Sequence, residues 1–170
     1  SFGHDAFWPD VNQYLVEPLL DSLKPVMTPD DKLPYPASTN ICGIDWEPIN
    51  SIVRQAYDSD NWPTTWGDDD RIYTAYGDGS GFIPYVDHKI GLGFAAISGT
   101  PDNPIGKNIR SDSGENDGMG ATGIKASGML MVDGVLYMLG RNAGNAIIAC
   151  SKDHAHTWEW ADWRFETSFG

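Results

Sequence analysis

Residues 151–158 constrain the fold of this chain most, because they join a turn-forming carboxylate to a large aromatic side chain. They read Ser-Lys-Asp-His-Ala-His-Thr-Trp. In a tight turn, Asp153 can accept backbone N–H bonds and Thr157 can do so more weakly. Trp158 would then pack its indole into a neighbouring sheet. The segment therefore predicts a turn between two strands, in which the residues with structural roles are Ser151, Asp153, Thr157 and Trp158.

Two short apolar runs precede this turn, and Asp133-Gly134 joins them. Asp-Gly between such runs is the strongest short signal for a β-hairpin. Two further strands are predicted around the turn, so that the predicted strands are 127–132, 135–139, 145–150 and 158–165. Four antiparallel strands in about forty residues match the size of one β-propeller blade.

A similar set of strands is predicted earlier in the chain. Its strands are 64–66, 71–76, 90–97 and 106–110, and the first hairpin turn holds Asp68, Asp69 and Asp70. Residues 111–124 are rich in Gly, Ser, Asp and Asn and predict a long loop between the two blades. Loops of that length inside a compact domain are usually functional or mobile.

The first forty residues have a different pattern. Apolar residues recur on one helical face at Val11, Leu15, Leu19 and Leu23. Residues 24–36 are rich in proline and predict an extended linker. No apolar run reaches the length of a transmembrane helix. We therefore expect residues 1–40 to form a short helix and a Pro-rich linker.

The length of the chain limits the number of blades. A propeller needs about four to eight blades to close its ring, and residues 41–170 supply about two to three. We therefore predict an all-β, incomplete β-propeller of four-stranded antiparallel blades, with blades at about 60–110 and 125–166. The missing blades are expected to come from a longer chain or from a partner chain.

Composition and charge narrow the classes of partner. The formal net charge is −13, from 24 acidic and 11 basic residues. This charge disfavours nucleic acid and anionic membranes as partners, whereas neutral glycans are compatible with it. Two cysteines, Cys42 and Cys150, are too few for a disulfide framework, and Cys150 is expected to be a buried free thiol.

Strand topology predicts where polar side chains meet. In a propeller blade the first strand runs away from the functional face and the second returns to it. Residues before the first strand, after the second and before the third therefore converge. In the first predicted blade these residues are Asp60, Asp78 and the run Asp87-His88-Lys89. In the second blade they are Lys125, Ser127, Arg141 and Asn142.

Asp60 and Asp78 suit the chemistry of glycoside hydrolysis. One carboxylic acid protonates the leaving oxygen, while the other attacks the anomeric carbon or activates water. Burial and like charges can raise the pKa of the acid. We predict that Asp60 and Asp78 are catalytic, and that the side chains contacting substrate are Trp62, Tyr76, His88, Lys125, Ser127, Arg141 and Asn142. Acidic loop ends also bind Ca²⁺ as a structural ion; no other cofactor is expected.

Two stretches carry resemblances to known families. Residues 151–158 resemble the Asp box of sialidases and related β-propellers, with Ala155 in place of the usual glycine. Residues 60–79 and 125–137 resemble bacterial secreted propeller proteins of a long-uncharacterised domain family. That family is similar to five-bladed glycosidases and includes enzymes that cleave arabinofuranose polymers.

This second resemblance covers about residues 35–170, the N-terminal part of such a domain. It implies a secreted or periplasmic hydrolase of an arabinan-like or other neutral polysaccharide. The family's later blades are missing here, together with any catalytic residue that they supply, so hydrolysis is expected of the complete propeller. It also implies an essential aspartate pair, which we place on Asp60 and Asp78.

Two other functions stay open. In the first, the propeller binds glycan or has a structural role without catalysis, and Asp60 and Asp78 hold a cation or cap loops. In the second, the chain is sialidase-like, as the Asp box suggests. Sialidases need an arginine cluster, for which Arg110 and Arg141 are too few. The pair His154 and His156 lies in the Asp-box turn, which does not favour a metal site.

Overall fold

The structure, a computed structural model, describes residues 38–41, 43–56 and 58–167. The predicted N-terminal helix, the Pro-rich linker at 24–36 and Cys42 lie outside the described residues. Contacts divide the chain into two units, one ending at Ile49 and one beginning at Asn50. The described residues of the first unit form no strand, and a short 3₁₀ turn spans Ile49–Ser51.

The second unit contains two four-stranded antiparallel sheets. The first sheet consists of β1 (Thr64–Trp66), β2 (Ile72–Tyr76), β3 (Gly93–Thr100) and β4 (Asn103–Ile109). The second sheet consists of β5 (Lys125–Val132), β6 (Val135–Arg141), β7 (Ile147–Ser151) and β8 (Glu159–Trp160). Within each sheet, every strand pairs with its neighbours in sequence. The all-β prediction is confirmed, since the described residues contain no α-helix. Among the described residues there is also no helix long and apolar enough to cross a membrane.

The β5–β6 hairpin shows why these residues form strands. Along β6, buried Leu136 and Met138 alternate with the more exposed Tyr137 and Leu139, which is the period of a strand with one covered face. In the turn, Asp133 and Gly134 have φ of 49° and 76°. Two successive residues with positive φ form the turn type whose twist matches a hairpin.

The predicted fourth strands differ from the observed ones. In the first sheet the strand begins at Asn103 rather than at residue 106. In the second sheet, ladder pairing covers only Glu159–Trp160 instead of residues 158–165. Beyond it, single backbone bonds from Ala161 N to Ile148 O (2.9 Å) and from Phe165 N to Ala146 O (3.1 Å) keep the chain beside β7.

The main core lies between the two sheets. Its first-sheet members are Tyr73, Ala75, Phe94, Ala96 and Ile109, and its second-sheet strand members are Ala126, Leu136, Met138 and Ala149. Trp158 stacks on Phe94 with ring centroids 4.8 Å apart, so the aromatic residue after the turn joins the two sheets. Burying a side chain of this size contributes about 2 kcal/mol. The first strands of the sheets are also neighbours, because Met131 N donates to Thr65 Oγ1 at 2.9 Å.

The turn at residues 151–158 is organised around the Asp153 carboxylate. Its Oδ1 accepts bonds from Ser151 Oγ (2.9 Å) and Thr157 N (2.8 Å), and its Oδ2 accepts one from Thr157 Oγ1 (2.6 Å). Burial would raise the pKa of Asp153, but the bonds from Thr157 and Ser151 outweigh it and lower that pKa. Ala155 has φ of 71°, a conformation that costs a residue with Cβ about 1–2 kcal/mol.

Candidate functional site

Asp78, the second residue after β2, makes one of the contacts that join the two sheets. Asp78 has φ of 48° and its Oδ1 accepts a hydrogen bond from Lys125 Nζ at the start of β5. Its Oδ2 accepts a bond from Gly120 N at 2.9 Å. The Lys125 ammonium also donates to Gly118 O at 2.8 Å. One carboxylate therefore holds a strand of the second sheet and the loop before it.

Burial and charge fix the protonation state of Asp78. The Lys125 side chain is 2% exposed and that of Asp78 is 21% exposed. Burial alone would raise the pKa of Asp78, but the bonds from Lys125 and Gly120 and the charges of Lys125 and Arg141 lower it. Asp78 is thus an anion over the ordinary pH range and is unsuited to donating a proton.

Asp60 lies at the same end of β2. Its backbone pairs with Gly77 through two bonds, from Asp60 N to Gly77 O (2.9 Å) and from Gly77 N to Asp60 O (2.7 Å). A Cβ placed on Gly77 would lie 3.1 Å from Asp60 Oδ1, so the carboxylate sits over the residue that precedes Asp78. The Asp60 side chain is exposed and accepts a bond from Asn61 Nδ2 at 2.8 Å. The structure therefore brings Asp60 and Asp78 to one edge.

Two glycines form a floor between these charged groups. A Cβ on Gly77 would lie 3.4 Å from Gly91 O. A Cβ on Gly91 would lie 2.1 Å from Gly118 O and 2.9 Å from Lys125 Nζ. Backbone groups of these two glycines therefore lie between Asp60 and Lys125, and any side chain at Gly91 would displace its neighbours.

Residues 116–123, which we term the rim loop, complete this edge. Asn116 pairs with Leu92 through two backbone bonds of 2.9 and 3.1 Å, and its Oδ1 accepts a bond from Ile124 N at 3.1 Å. Gly118 and Gly120 have φ of 105° and 59°. Only glycine adopts the first of these without strain. The sequence predicted a long loop here but not its contacts; its glycines are the one signal of close backbone approach.

The predicted aromatic residues pack together instead of forming an open surface. Tyr76 is 1% exposed, and Trp62 lies against it with ring centroids 5.5 Å apart. Trp62 also contacts Phe82 at 5.7 Å. Burial raises the pKa of Tyr76 to about 12. Trp62 is half-buried and is the member of this pair that retains exposed surface near Asp60.

The remaining predicted side chains lie around the rim. His88 is exposed, and its Nε2 lies 3.2 Å from Asp117 Oδ1 in the rim loop. Arg141 Nη1 donates to Ala126 O at 3.2 Å and to Ser127 Oγ at 3.3 Å.

Asn142 occupies the place in the second sheet that Asp78 occupies in the first. Each lies five residues after a tyrosine, Tyr73 or Tyr137. Asn142 has φ of 63°, and its Nδ2 donates to Gly123 O at 3.2 Å. Arg110, the other arginine considered for a sialidase-like cluster, pairs with Glu115 through bonds of 2.7 and 2.8 Å.

A second polar cluster lies at the opposite end of β2. His154 Nε2 lies 2.7 Å from Asp68 Oδ1 and 4.0 Å from Asp69 Oδ2, so the turn at residues 151–158 contacts the β1–β2 turn. Arg71 Nε donates to Asp69 Oδ2 at 2.7 Å and Tyr73 OH donates to it at 2.8 Å. Burial would raise the pKa of Asp69, but these bonds lower it to about 2. Arg71 already pairs with the Asp69 carboxylate. The cluster therefore serves to hold the two turns together through polar contacts.

No protein-family model matches the chain, and no curated protein sequence matches it. The function therefore has to be inferred from the chemistry of the edge that holds Asp60, Asp78 and Lys125.

Proposed function

We propose that this chain is part of a β-propeller glycoside hydrolase that acts on an arabinan-like or other neutral polysaccharide. Its carboxylate pair is Asp60 and Asp78. The observation that supports this most is their placement on either side of Gly77, with the Asp60 carboxylate exposed at that edge. Because an intact polysaccharide of this kind is too large to enter a cell, the proposal includes a secreted or periplasmic location.

The surroundings of the two carboxylates suggest different roles. Paired-carboxylate hydrolysis needs one proton donor and one anion that attacks the anomeric carbon or activates water. Asp78, held ionised by Lys125, suits the anion. Asp60 is exposed and makes no ion pair with the described residues, so it is the group left to protonate the leaving oxygen.

The free face of the second sheet supports the propeller architecture. Tyr73 of the first sheet is fully buried beneath the second sheet, whereas Tyr137, at the matching position of β6, is 42% exposed. The same face exposes Leu130, Leu139 and the half-buried free thiol Cys150. In a propeller, a third four-stranded sheet covers this face as the second covers Tyr73.

A second candidate is a glycan-binding or structural propeller without catalysis. The observation that favours it is that both oxygens of Asp78 are already bonded, Oδ1 to Lys125 and Oδ2 to Gly120. In that case Asp78 caps the rim loop and Asp60 contacts sugar hydroxyls.

NMR titration of the ¹⁵N-labelled chain with linear arabino-oligosaccharides, alongside reducing-end release from arabinan, separates these candidates. The hydrolase predicts sugar release together with shifts of the Gly77, Gly91 and Gly120 amides. Shifts without release would favour the binding module. If the amides do not shift and no sugar is released, the proposal of a glycan site at this edge is overturned. Asp102 is an exposed carboxylate in the β3–β4 turn. The variant Asp102→Asn is therefore the matched control for the loss of one charge in Asp60→Asn or Asp78→Asn.

A further inference from the structure

We infer that Lys125 is a positioning residue, whose ammonium holds the Asp78 carboxylate and the rim loop in one arrangement and so sets the acid limit at which the site works. Its meaning for hydrolysis rests on the proposed function. The positioning itself is a property of the folded chain and is measurable without a substrate.

The contacts form a closed ring. Lys125 Nζ donates to Asp78 Oδ1 and, at 2.8 Å, to Gly118 O. Gly120 N closes the ring by donating to Asp78 Oδ2 at 2.9 Å. Both oxygens of the carboxylate are thereby oriented, one by a side chain from β5 and one by the rim loop. Loss of the Lys125 ammonium removes two of these three bonds.

Burial makes Lys125 dependent on Asp78 and keeps it away from substrate. Its side chain is 2% exposed, and the ammonium packs so closely over Gly91 that a Cβ there would lie 2.9 Å from it. A buried ammonium is costly unless it is paired and hydrogen-bonded. Lys125 was predicted from the sequence to contact sugar; its contacts in the structure suit positioning instead.

The charged groups around Asp78 come from β5, from β6, from the segment before β1 and from the rim loop. Lys125 on β5 and Arg141 on β6 favour the anion. Asp60 lies across Gly77, and Asp117 in the rim loop is engaged by His88. Lys125 is the cation in direct contact with the carboxylate, so its removal leaves Asp78 with the distant charge of Arg141.

The sign of the pH dependence follows from the ionised pair. The folded-state pKa of Asp78 is depressed relative to an unfolded Asp of about 3.9. The ring is therefore complete above that unfolded value and is lost as the pH falls through the folded pKa. Without Lys125, the same loss should begin at a higher pH.

The test is a ¹³C NMR titration of the Asp78 carboxyl in the wild-type chain, Lys125→Met and Lys125→Arg. We expect the Asp78 pKa to rise by about one unit or more in Lys125→Met, a tenfold change in the proton dissociation constant. Lys125→Arg should keep the Asp78 pKa close to its wild-type value, because arginine keeps the positive charge. Lys107→Met, which removes an exposed lysine on β4, should leave Asp78 unchanged.

Two further readouts complete the test. Exchange of the Gly120 amide should quicken about tenfold in Lys125→Met, and the acid limb of arabinan hydrolysis should move with the Asp78 pKa. An unchanged Asp78 pKa and unchanged Gly120 exchange in folded Lys125→Met would overturn the inference. If that variant does not fold, the wild-type Gly120 amide resonance decides, since its chemical shift must follow the titration of Asp78. Absence of hydrolysis by the wild type would overturn the proposed function only, because the titration is independent of it.

Discussion

The Asp78 carboxylate and the Lys125 ammonium meet where the end of β2 in the first sheet reaches the start of β5 in the second. The contact ties the geometry of the candidate site to the packing of the two sheets. It also leaves Asp60, on the other side of Gly77, as the exposed carboxylate of the pair.

Asp78→Asn should impair both stability and hydrolysis. The amide keeps an acceptor for Lys125 but loses the charge, so a buried ammonium is left without its counterion. We expect a loss of about 2–3 kcal/mol in the free energy of unfolding, measured by urea denaturation. Asp102→Asn should change it by less than about 0.5 kcal/mol. An Asp78→Asn chain as stable as the wild type would show that the ion pair is not a structural element.

Gly91→Ala should displace the rim loop. The added Cβ would meet Gly118 O at 2.1 Å and Lys125 Nζ at 2.9 Å, and the first of these is backbone that cannot swing aside. We expect a loss of about 1–3 kcal/mol and weaker glycan binding. Gly128→Ala on β5, where the new Cβ meets nothing within 4 Å, is the control. Equal melting temperatures for the two variants would contradict the close packing at Gly91.

Asp153→Ala should lower stability without affecting hydrolysis. The variant loses three hydrogen bonds within the turn, which together contribute about 2 kcal/mol. The folded-state pKa of Asp153 is lowered, so the wild type's advantage should be full above the unfolded pKa of about 3.9 and vanish as the pH falls through the folded pKa. Urea denaturation of both chains from pH 7 to pH 2 measures this. Loss of turnover in a folded Asp153→Ala chain would place the turn within the site.

Gly134→Ala should destabilise the β5–β6 hairpin. Gly134 has φ of 76°, and alanine adopts that conformation at a cost of about 1–2 kcal/mol. The free energy of unfolding should fall by about 1 kcal/mol, measured by urea denaturation with Gly128→Ala as the control. A fall no larger than that of Gly128→Ala would contradict the requirement for positive φ at Gly134.

The parts of the fold that could be predicted are those encoded locally. Asp133-Gly134 and the residues around Asp153 specify turns through their own backbone preferences, and alternation along β6 marks its covered face. These features were enough to predict two sets of four antiparallel strands, although the ends of β4 and β8 depend on pairing that residue types do not reveal.

The candidate site was predictable only in part. Strand topology placed Asp60 and Asp78 at one edge, because residues before one strand and after its neighbour must converge. The ring through Gly118 and Gly120 uses backbone groups that every residue carries, so no sequence pattern identifies it. Burial of Lys125 and Tyr76 likewise depends on the packing of distant segments. From the sequence alone, a lysine beside a predicted sugar site is interpreted as a surface residue that contacts the sugar. Its burial becomes evident only when its neighbours in the fold are known.

Arabinan hydrolysis by the wild type and Asp60→Asn, each in a propeller with all its blades and compared at equal concentrations of folded protein, tests the account most directly. Asp60 is exposed and its side chain bonds only to Asn61 among the described residues, so the substitution should leave the melting temperature unchanged. We predict reducing-end release by the wild type and by Asp102→Asn, and a loss of about 10²–10⁴-fold in Asp60→Asn, as expected for removal of a general acid. Equal release by the wild type and Asp60→Asn, or none by any chain, would contradict a catalytic carboxylate pair at this edge.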